Sequence, residues 1–248
     1  MKEHEFTNNR VEISELFCNK HNLQMIKSLG TGNPICAKCV VEKSIQQHAL
    51  DVNQAVRENH VHGAQIPKRH EQSGFKNYIA NTDGKLSAKN KARGYVSHIA
   101  SGGKQNLVMV GSTGTGKTHL ACATARNLLD KRYFARYVTS EHMANDIASA
   151  YLRTDDNEKN SIWRYTDLDL LILDEYGLHD RAEKRPQLLD AVHKVLYARY
   201  DAMKPTMLIS NMSLPDLKKD LGDRLWSRFQ DGGLTVIECN WDDVRVEA

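Results

Sequence analysis

Short apolar runs alternate with longer stretches of mixed polarity along most of the chain. Leu107–Val110, Ala135–Val138, Leu168–Leu173, Thr206–Ser210 and Leu234–Ile237 read as buried strands. Helical patterns fill most of the gaps. Thr118–Asp130 predicts a helix with Leu120, Leu128 and Leu129 available for one face. Pro186 is well placed in the first turn of another, running to about Met203. Strands and helices in this alternation predict a parallel five-stranded sheet between helices, an α/β fold. Upstream, residues from about 46 to 66 look helical, with Ile45, Ala49, Val52 and Val56 at helical spacing and Gly63 and Pro67 marking the end. Three parts follow: residues 1–45, a helix and linker over 46–69, and the α/β domain over 70–248.

Composition narrows the class. At 248 residues, 40% hydrophobic and 26% charged, the chain is ordinary for a globular protein. No apolar run approaches the ~20 residues of a membrane helix. The opening Met-Lys-Glu-His-Glu lacks the apolar core of a signal peptide, so a cytoplasmic location is expected. The cysteines number five, an odd count, and they crowd toward the start, which favours a metal site over a disulfide framework. The net charge of +3 does not by itself argue for nucleic acid. Its distribution says more. Lys68, Arg69, Lys76, Lys85, Lys89, Lys91, Arg93 and Lys104 lie in one stretch with Phe75, Tyr78 and Tyr95. Basic residues interleaved with aromatics suit a nucleic-acid backbone, and a solvated linker and helix face has the same composition.

The most specific signal is Gly111-Ser112-Thr113-Gly114-Thr115-Gly116-Lys117-Thr118, placed between a predicted strand and a predicted helix. It matches G-x-x-x-x-G-K-[ST], a phosphate-binding loop. Glycines let consecutive N–H groups curl round a phosphate, and the helix start adds its positive end. Lys117 would reach the β- and γ-phosphates of ATP, and the Thr118 hydroxyl would hold Mg²⁺. His119, next along, is grouped with the nucleotide-binding residues.

Four further patterns add chemistry. Leu168–Leu173 leads into Asp174 and Glu175, two carboxylates at the carboxyl end of a strand. Asp174 would hold Mg²⁺ and Glu175 would polarise the attacking water. Ser210-Asn211 ends another strand, where the Asn211 amide would sense the γ-phosphate. Arg224 and Arg228 share a helix face; they read either as a finger reaching a neighbouring subunit's ATP or as a surface salt-bridge pair. Cys18-x-x-His21 and Cys36-x-x-Cys39 make a four-ligand set for a structural Zn²⁺, with a Gly/Asn/Pro turn between them. Cys122 and Cys239 read as core residues.

Together these motifs resemble the AAA+ ATPases of the DnaC-type replicative helicase loaders and the related IstB-type transposition helpers. The resemblance covers roughly Pro67 to the last residue. It rests on Gly111–Thr118, on Leu168–Glu175 with Tyr176-Gly177, on Ile209-Ser-Asn211, and on Gly222-Asp-Arg224-Leu-Trp-Ser-Arg228 with Asn240-Trp241-Asp242. It implies an AAA+ P-loop core without a full lid domain, with Arg228 at the arginine-finger position, Arg224 beside it and Arg245 near a second sensor. It implies an extra helix within Glu141–Asp167 lying close to single-stranded DNA. It also implies self-association through the ATP sites, and a replicative helicase hexamer as partner. The zinc module departs from the general DnaC pattern and suggests a phage or prophage member. The other readings are a transposition helper acting on duplex DNA and a zinc-containing DNA-binding adaptor with a vestigial ATPase.

Overall fold

The computed structural model describes residues 12–28, 30–150, 156–177 and 186–243. The chain divides into two compact units, Met1–Val56 and Arg57–Ala248.

The first unit has a small antiparallel sheet of β1 (Ile13–Phe17), β2 (Gln24–Lys27) and β3 (Pro34–Ile35), in that order. Asn22 turns the β1–β2 hairpin with a positive φ of 51°, a conformation that asparagine tolerates well. Helix α1 (Ala37–Gly63) then begins inside this unit, with Val40 N–H bonded to Cys36 O. The sequence placed its start near residue 46. The apolar signal begins there, but the helix is set in motion earlier, at the cysteine pair. Among the described residues of this unit Ser14, Cys18 and Cys36 are buried, while Ile13, Leu16, Phe17, Val41 and Ile45 are exposed. Helix α1 buries no residue. A conventional apolar core is therefore not what holds this unit together.

The second unit is a five-stranded, all-parallel sheet in the order β5-β6-β7-β4-β8. Its strands are β4 (Asn106–Gly111), β5 (Ala135–Thr139), β6 (Leu170–Tyr176), β7 (Thr206–Ser210) and β8 (Leu234–Cys239). Its helices are α2 (Asp83–Ala100), α3 (Lys117–Asp130), α4 (Ser140–Ser149), α5 (Glu158–Thr166), α6 (Pro186–Asp201) and α7 (Leu214–Gln230). Side chains alternate across the sheet. Leu107, Met109, Ile172 and Ile209 pack under α2 and α3. Val108, Val110, Leu171, Leu173 and Leu208 pack under α4, α5, α6 and α7. Both faces are covered, which is why the strands read as unbroken apolar runs. The expected extra helix falls as two, α4 and α5; Arg245 lies outside the described residues.

The fully buried Arg199 on α6 ties the far end of this unit together. Its guanidinium donates to the carbonyls of Tyr165, Thr166, Leu168 and Pro205 and to Thr206 Oγ1.

The basic stretch resolves into two groups. Lys85, Lys89 and Lys91 donate to Asn81 Oδ1, Tyr78 O and Val236 O. Phe75, Tyr78 and Tyr95 are buried core residues, so they offer no stacking platform for bases. Lys68, Arg69, Lys76, Arg93 and Lys104 remain exposed. No helix among the described residues is long and apolar enough to cross a membrane.

Candidate nucleotide site and metal centre

The site is assembled at the carboxyl ends of β4, β6 and β7, where a parallel sheet opens its ligand crevice. β4 ends at Gly111 and α3 starts at Lys117, so the intervening residues form a tight turn at a helix N-terminus. Gly111 has φ 137°, and a side chain there would run into the carbonyl of Cys239 on the adjoining β8. Gly116, with φ 86°, occupies the N-cap of α3, and a Cβ on it would sit 3.0 Å from the Tyr78 ring. Ser112 and Thr113 are exposed at the tip. Thr115 Oγ1 donates to Ser112 O (2.9 Å) and closes the turn on itself. Lys117 is buried, and its ammonium donates to Gly111 O (2.7 Å) and Ser112 O (2.6 Å). The His119 ring is turned toward the Gly74 carbonyl (3.0 Å) and the edge of Tyr78, bracing the segment that precedes α2.

Asp174 is joined directly to this turn. Its Oδ2 accepts from Thr118 Oγ1 (2.8 Å) and from Tyr137 Oη (2.9 Å), and its Oδ1 accepts from the Glu175 N–H (2.7 Å). Asp174 is 5% exposed and Tyr137 8%. Burial, reinforced by the charge of Asp174, lifts the Tyr137 phenol well above its ordinary pKa, so it stays a donor.

β6 carries on through the two acids to Tyr176, further than its apolar run indicates. The ladder survives the carboxylates because backbone pairing needs no apolar side chain: Thr139 pairs with Asp174 and Ser210 with Tyr176. Between Leu173 and Tyr176 the register with β7 shifts. Glu175 sits in this irregularity with φ 57°, a conformation rare for a residue with a long side chain. The distortion leaves Glu175 exposed while its neighbours are buried, and strained backbone of this kind clusters at functional sites. Although Glu175 reaches solvent, partial desolvation of its carboxyl, then the charges of Asp174 and Glu141, raises its pKa.

Asn211 follows β7, one residue beyond Ser210, which pairs with Val110 on one side and Tyr176 on the other. It is half-buried, and it follows the strand that lies between the one ending in the turn and the one carrying the acids. The structure does not bring Arg224 and Arg228 to these residues. Arg224 is exposed on α7, and the Arg228 guanidinium lies over the rings of Tyr197 (4.7 Å) and Tyr200 (5.0 Å). Neither forms an ion pair among the described residues. Burial pushes the thiols of Cys122 and Cys239 up, to about 12 and about 11, as expected of protonated core residues.

In the first unit, ligand atoms of Cys18, His21, Cys36 and Cys39 all lie within 4.8 Å of one another. Cys18 Sγ is 3.6 Å from Cys39 Sγ, and His21 Nδ1 is 3.5 Å from Cys36 Sγ and 3.4 Å from Cys39 Sγ. Sulfurs on a tetrahedral zinc at ~2.3 Å stand about 3.8 Å apart, so the cluster has the size of a zinc site. His21 Nε2 is 2.9 Å from Glu42 Oε1, a carboxylate that fixes the ring with Nδ1 toward the sulfurs. Cys36 precedes α1 and Cys39 lies in its first turn; the hydrogen bond with Cys18, then burial, raises the Cys39 thiol to about 11. The backbone N–H of His21, with that of Lys20 and the neighbouring thiols, lowers the Cys18 thiol to about 6.

Sequence reasoning missed Tyr137 and Glu42, and counted Tyr78 with a basic, aromatic stretch instead of with the turn. Glu42 lies one helical turn beyond Cys39, and that spacing is a usable signal. Tyr137 has none, since its role depends on β5 lying beside β6.

The sequence model of IstB-like ATP binding proteins matches residues 23–228. The replicative helicase loader DnaC of Escherichia coli strain K12 is 26% identical over 176 residues, covering 71% of this chain and 70% of DnaC. The crystal structure of the DnaC helicase loader superposes with a TM-score of 0.59 at 22% identity, over 69% of this chain and 99% of that one. AMPPCP-bound DnaA from Aquifex aeolicus superposes with a TM-score of 0.55 at 24% identity, over 68% of this chain and 50% of that one. The chain thus spans about half the length of that DnaA chain. These two likenesses establish the fold: an AAA+ α/β core on a five-stranded parallel sheet, here with an N-terminal Cys/His cluster.

Proposed function

The chain belongs to the family of IstB-like ATP binding proteins, and from that premise we propose that it is an ATP-driven DNA-replication protein that loads a replicative helicase onto single-stranded DNA. One observation carries the reading: the Thr118 hydroxyl at the end of the phosphate-binding turn is bonded to Asp174, with Glu175 exposed beside it on a distorted strand. Gly111–Thr118 would hold the ATP phosphates, with Lys117 against the β- and γ-groups. Thr118 and Asp174 would hold Mg²⁺, which when bound offsets phosphate charge. Glu175 would orient the attacking water, and Asn211 would report the γ-phosphate. Arg228, with Arg224 beside it, would complete a neighbouring subunit's site, making ATP a switch for self-association.

The Cys18–His21–Cys36–Cys39 cluster would hold a structural Zn²⁺, and all four ligands come from protein, leaving no open position for catalysis. We assign residues 1–45 to this zinc module, 46–69 to a helix and linker, and 70–248 to the ATPase domain. The exposed apolar residues of the module and of α1 support its use as the arm that grips the helicase. A cytoplasmic, phage- or prophage-encoded bacterial loader fits these features.

The test is to mix the protein with a bacterial replicative helicase hexamer, with and without ATP, and to weigh the complex. A stable complex that deletion of residues 1–66 abolishes is expected, with ATP binding spared. ATPase stimulated by single strands, and lost in Arg228→Ala, is the second expectation. Stimulation by duplex alone would favour the transposition-helper reading that the family match also supports.

A further inference from the structure

The residues after β8 stay on the phosphate-binding turn. Trp241 packs with the core under α2 and α3, and a Cβ on Gly84 would lie 3.4 Å from its ring. Its indole N–H donates to the carbonyl of Thr115, inside the turn, at 2.9 Å. Two residues later the Asp243 carboxylate lies against Gly114, so closely that any side chain built there would collide with it. Gly114 has φ 76° and is buried. The chain therefore pins one of its own carboxylates on the middle of the turn.

The turn is an anion site by construction. Backbone N–H groups, the N-terminus of α3 and the Lys117 ammonium all contribute positive potential. A carboxylate held there experiences the field that would hold a nucleotide's phosphates. Two anions brought into one small site repel each other, and more strongly where water is excluded.

We infer that Trp241–Asp243 is a strap whose Asp243 carboxylate competes with nucleotide phosphates for the turn, so that nucleotide binding lifts the strap. The inference rests on the reading of Gly111–Thr118 as a phosphate site. Trp241 supplies the anchor and Asp243 the charge. While the strap is down, apparent nucleotide affinity is reduced by the fraction of molecules with the turn covered. Release would move the segment leaving β8.

The test is isothermal titration of the full chain with Mg-ATP, comparing wild type, Asp243→Asn, Asp242→Asn and Lys117→Ala. Asp242 is the exposed neighbour, so its substitution makes the same change in net charge without touching Gly114. Asp243→Asn should bind about tenfold more tightly than wild type. Asp242→Asn should stay within about twofold, and raising the salt should shrink the Asp243→Asn gain. Equal affinities for wild type and Asp243→Asn overturn the strap and leave the phosphate reading standing. Weaker binding by Asp243→Asn makes the carboxylate part of the nucleotide site and also overturns it. Binding that is absent throughout, or indifferent to Lys117→Ala, overturns the phosphate reading and the strap together.

Discussion

Replacing Tyr137 by phenylalanine removes one oxygen and keeps a buried ring in place. That oxygen donates to Asp174 Oδ2 at 2.9 Å, and with both residues under a tenth exposed, water has little access to take over the bond. A hydrogen bond to a charged group contributes about 1.5–3 kcal/mol. Taking about 2 kcal/mol, the melting temperature of a unit this size should fall by about 4–8 °C. Asp174 keeps Thr118 and the Glu175 N–H, so the carboxylate stays in place but less firmly oriented. If that orientation serves Mg²⁺, the same energy raises the Mg²⁺ concentration for half-maximal ATPase by up to about thirtyfold. Differential scanning fluorimetry reads the first effect, and a Mg²⁺ titration at saturating ATP reads the second. The pH dependence has a definite sign. The folded-state pKa of Tyr137 is raised, first by burial and then by Asp174, so the folded protein keeps this proton more firmly than the unfolded chain. The wild-type advantage should be flat up to about pH 10, where unfolded tyrosine ionises, and shrink above it. A melting shift below about 1 °C, or an advantage already fading near pH 8, refutes the reasoning.

Glu175→Gln should abolish turnover while nucleotide still binds. Because the folded pKa of Glu175 is raised, ionised Glu175 costs stability, so this variant should also melt higher at pH 7, a gain that disappears below about pH 4. Arg199→Met leaves the carbonyls of Tyr165, Thr166, Leu168 and Pro205 without their donor, and urea denaturation should show a loss of at least about 3 kcal/mol. Arg199→Lys should rescue little of it, since an ammonium cannot reproduce the guanidinium fork. Stripping zinc with a chelator, or Cys36→Ser, should remove amide protection from the β1–β2 hairpin and spare β4 and β6 in hydrogen exchange; protection of the hairpin that survives chelation would show that the metal is not its support. Glu42→Ala should weaken zinc binding by about tenfold in a chelator competition, near the low end for such partners because Glu42 is exposed to solvent.

The features legible in the sequence are those whose chemistry is contiguous. The strand–turn–helix around Gly111–Thr118 is one, because glycines, lysine and threonine all act within a single turn. Thr206–Ser210 is another, bounded by Pro205 and by polar Asn211. The Cys/His cluster was readable from spacing alone. What escaped depends on which strands are neighbours. Tyr137 meets Asp174 because β5 lies beside β6, and Trp241 meets Thr115 because β8 lies beside β4. The end of β6 was hidden because two carboxylates interrupt an apolar pattern while leaving the backbone ladder intact. In the basic stretch, Tyr95 and Lys91 stand four apart on α2, yet one is core and the other is turned to a carbonyl of β8. Composition does not separate such roles.

The bond from Thr118 to Asp174 fixes the direction of a single proton. A hydroxyl has one hydrogen to give and two lone pairs to offer. Here the hydrogen is committed to Asp174, so the oxygen presents electron density alone to whatever approaches from the turn. Thr118 is thereby turned into a pure acceptor before any cation arrives, and a cation can be taken up there without first expelling or rotating a proton. Serine could replace it, since it has the same hydrogen to commit. Valine, though matched in shape, would leave Asp174 with one donor fewer and the turn with no oxygen to offer.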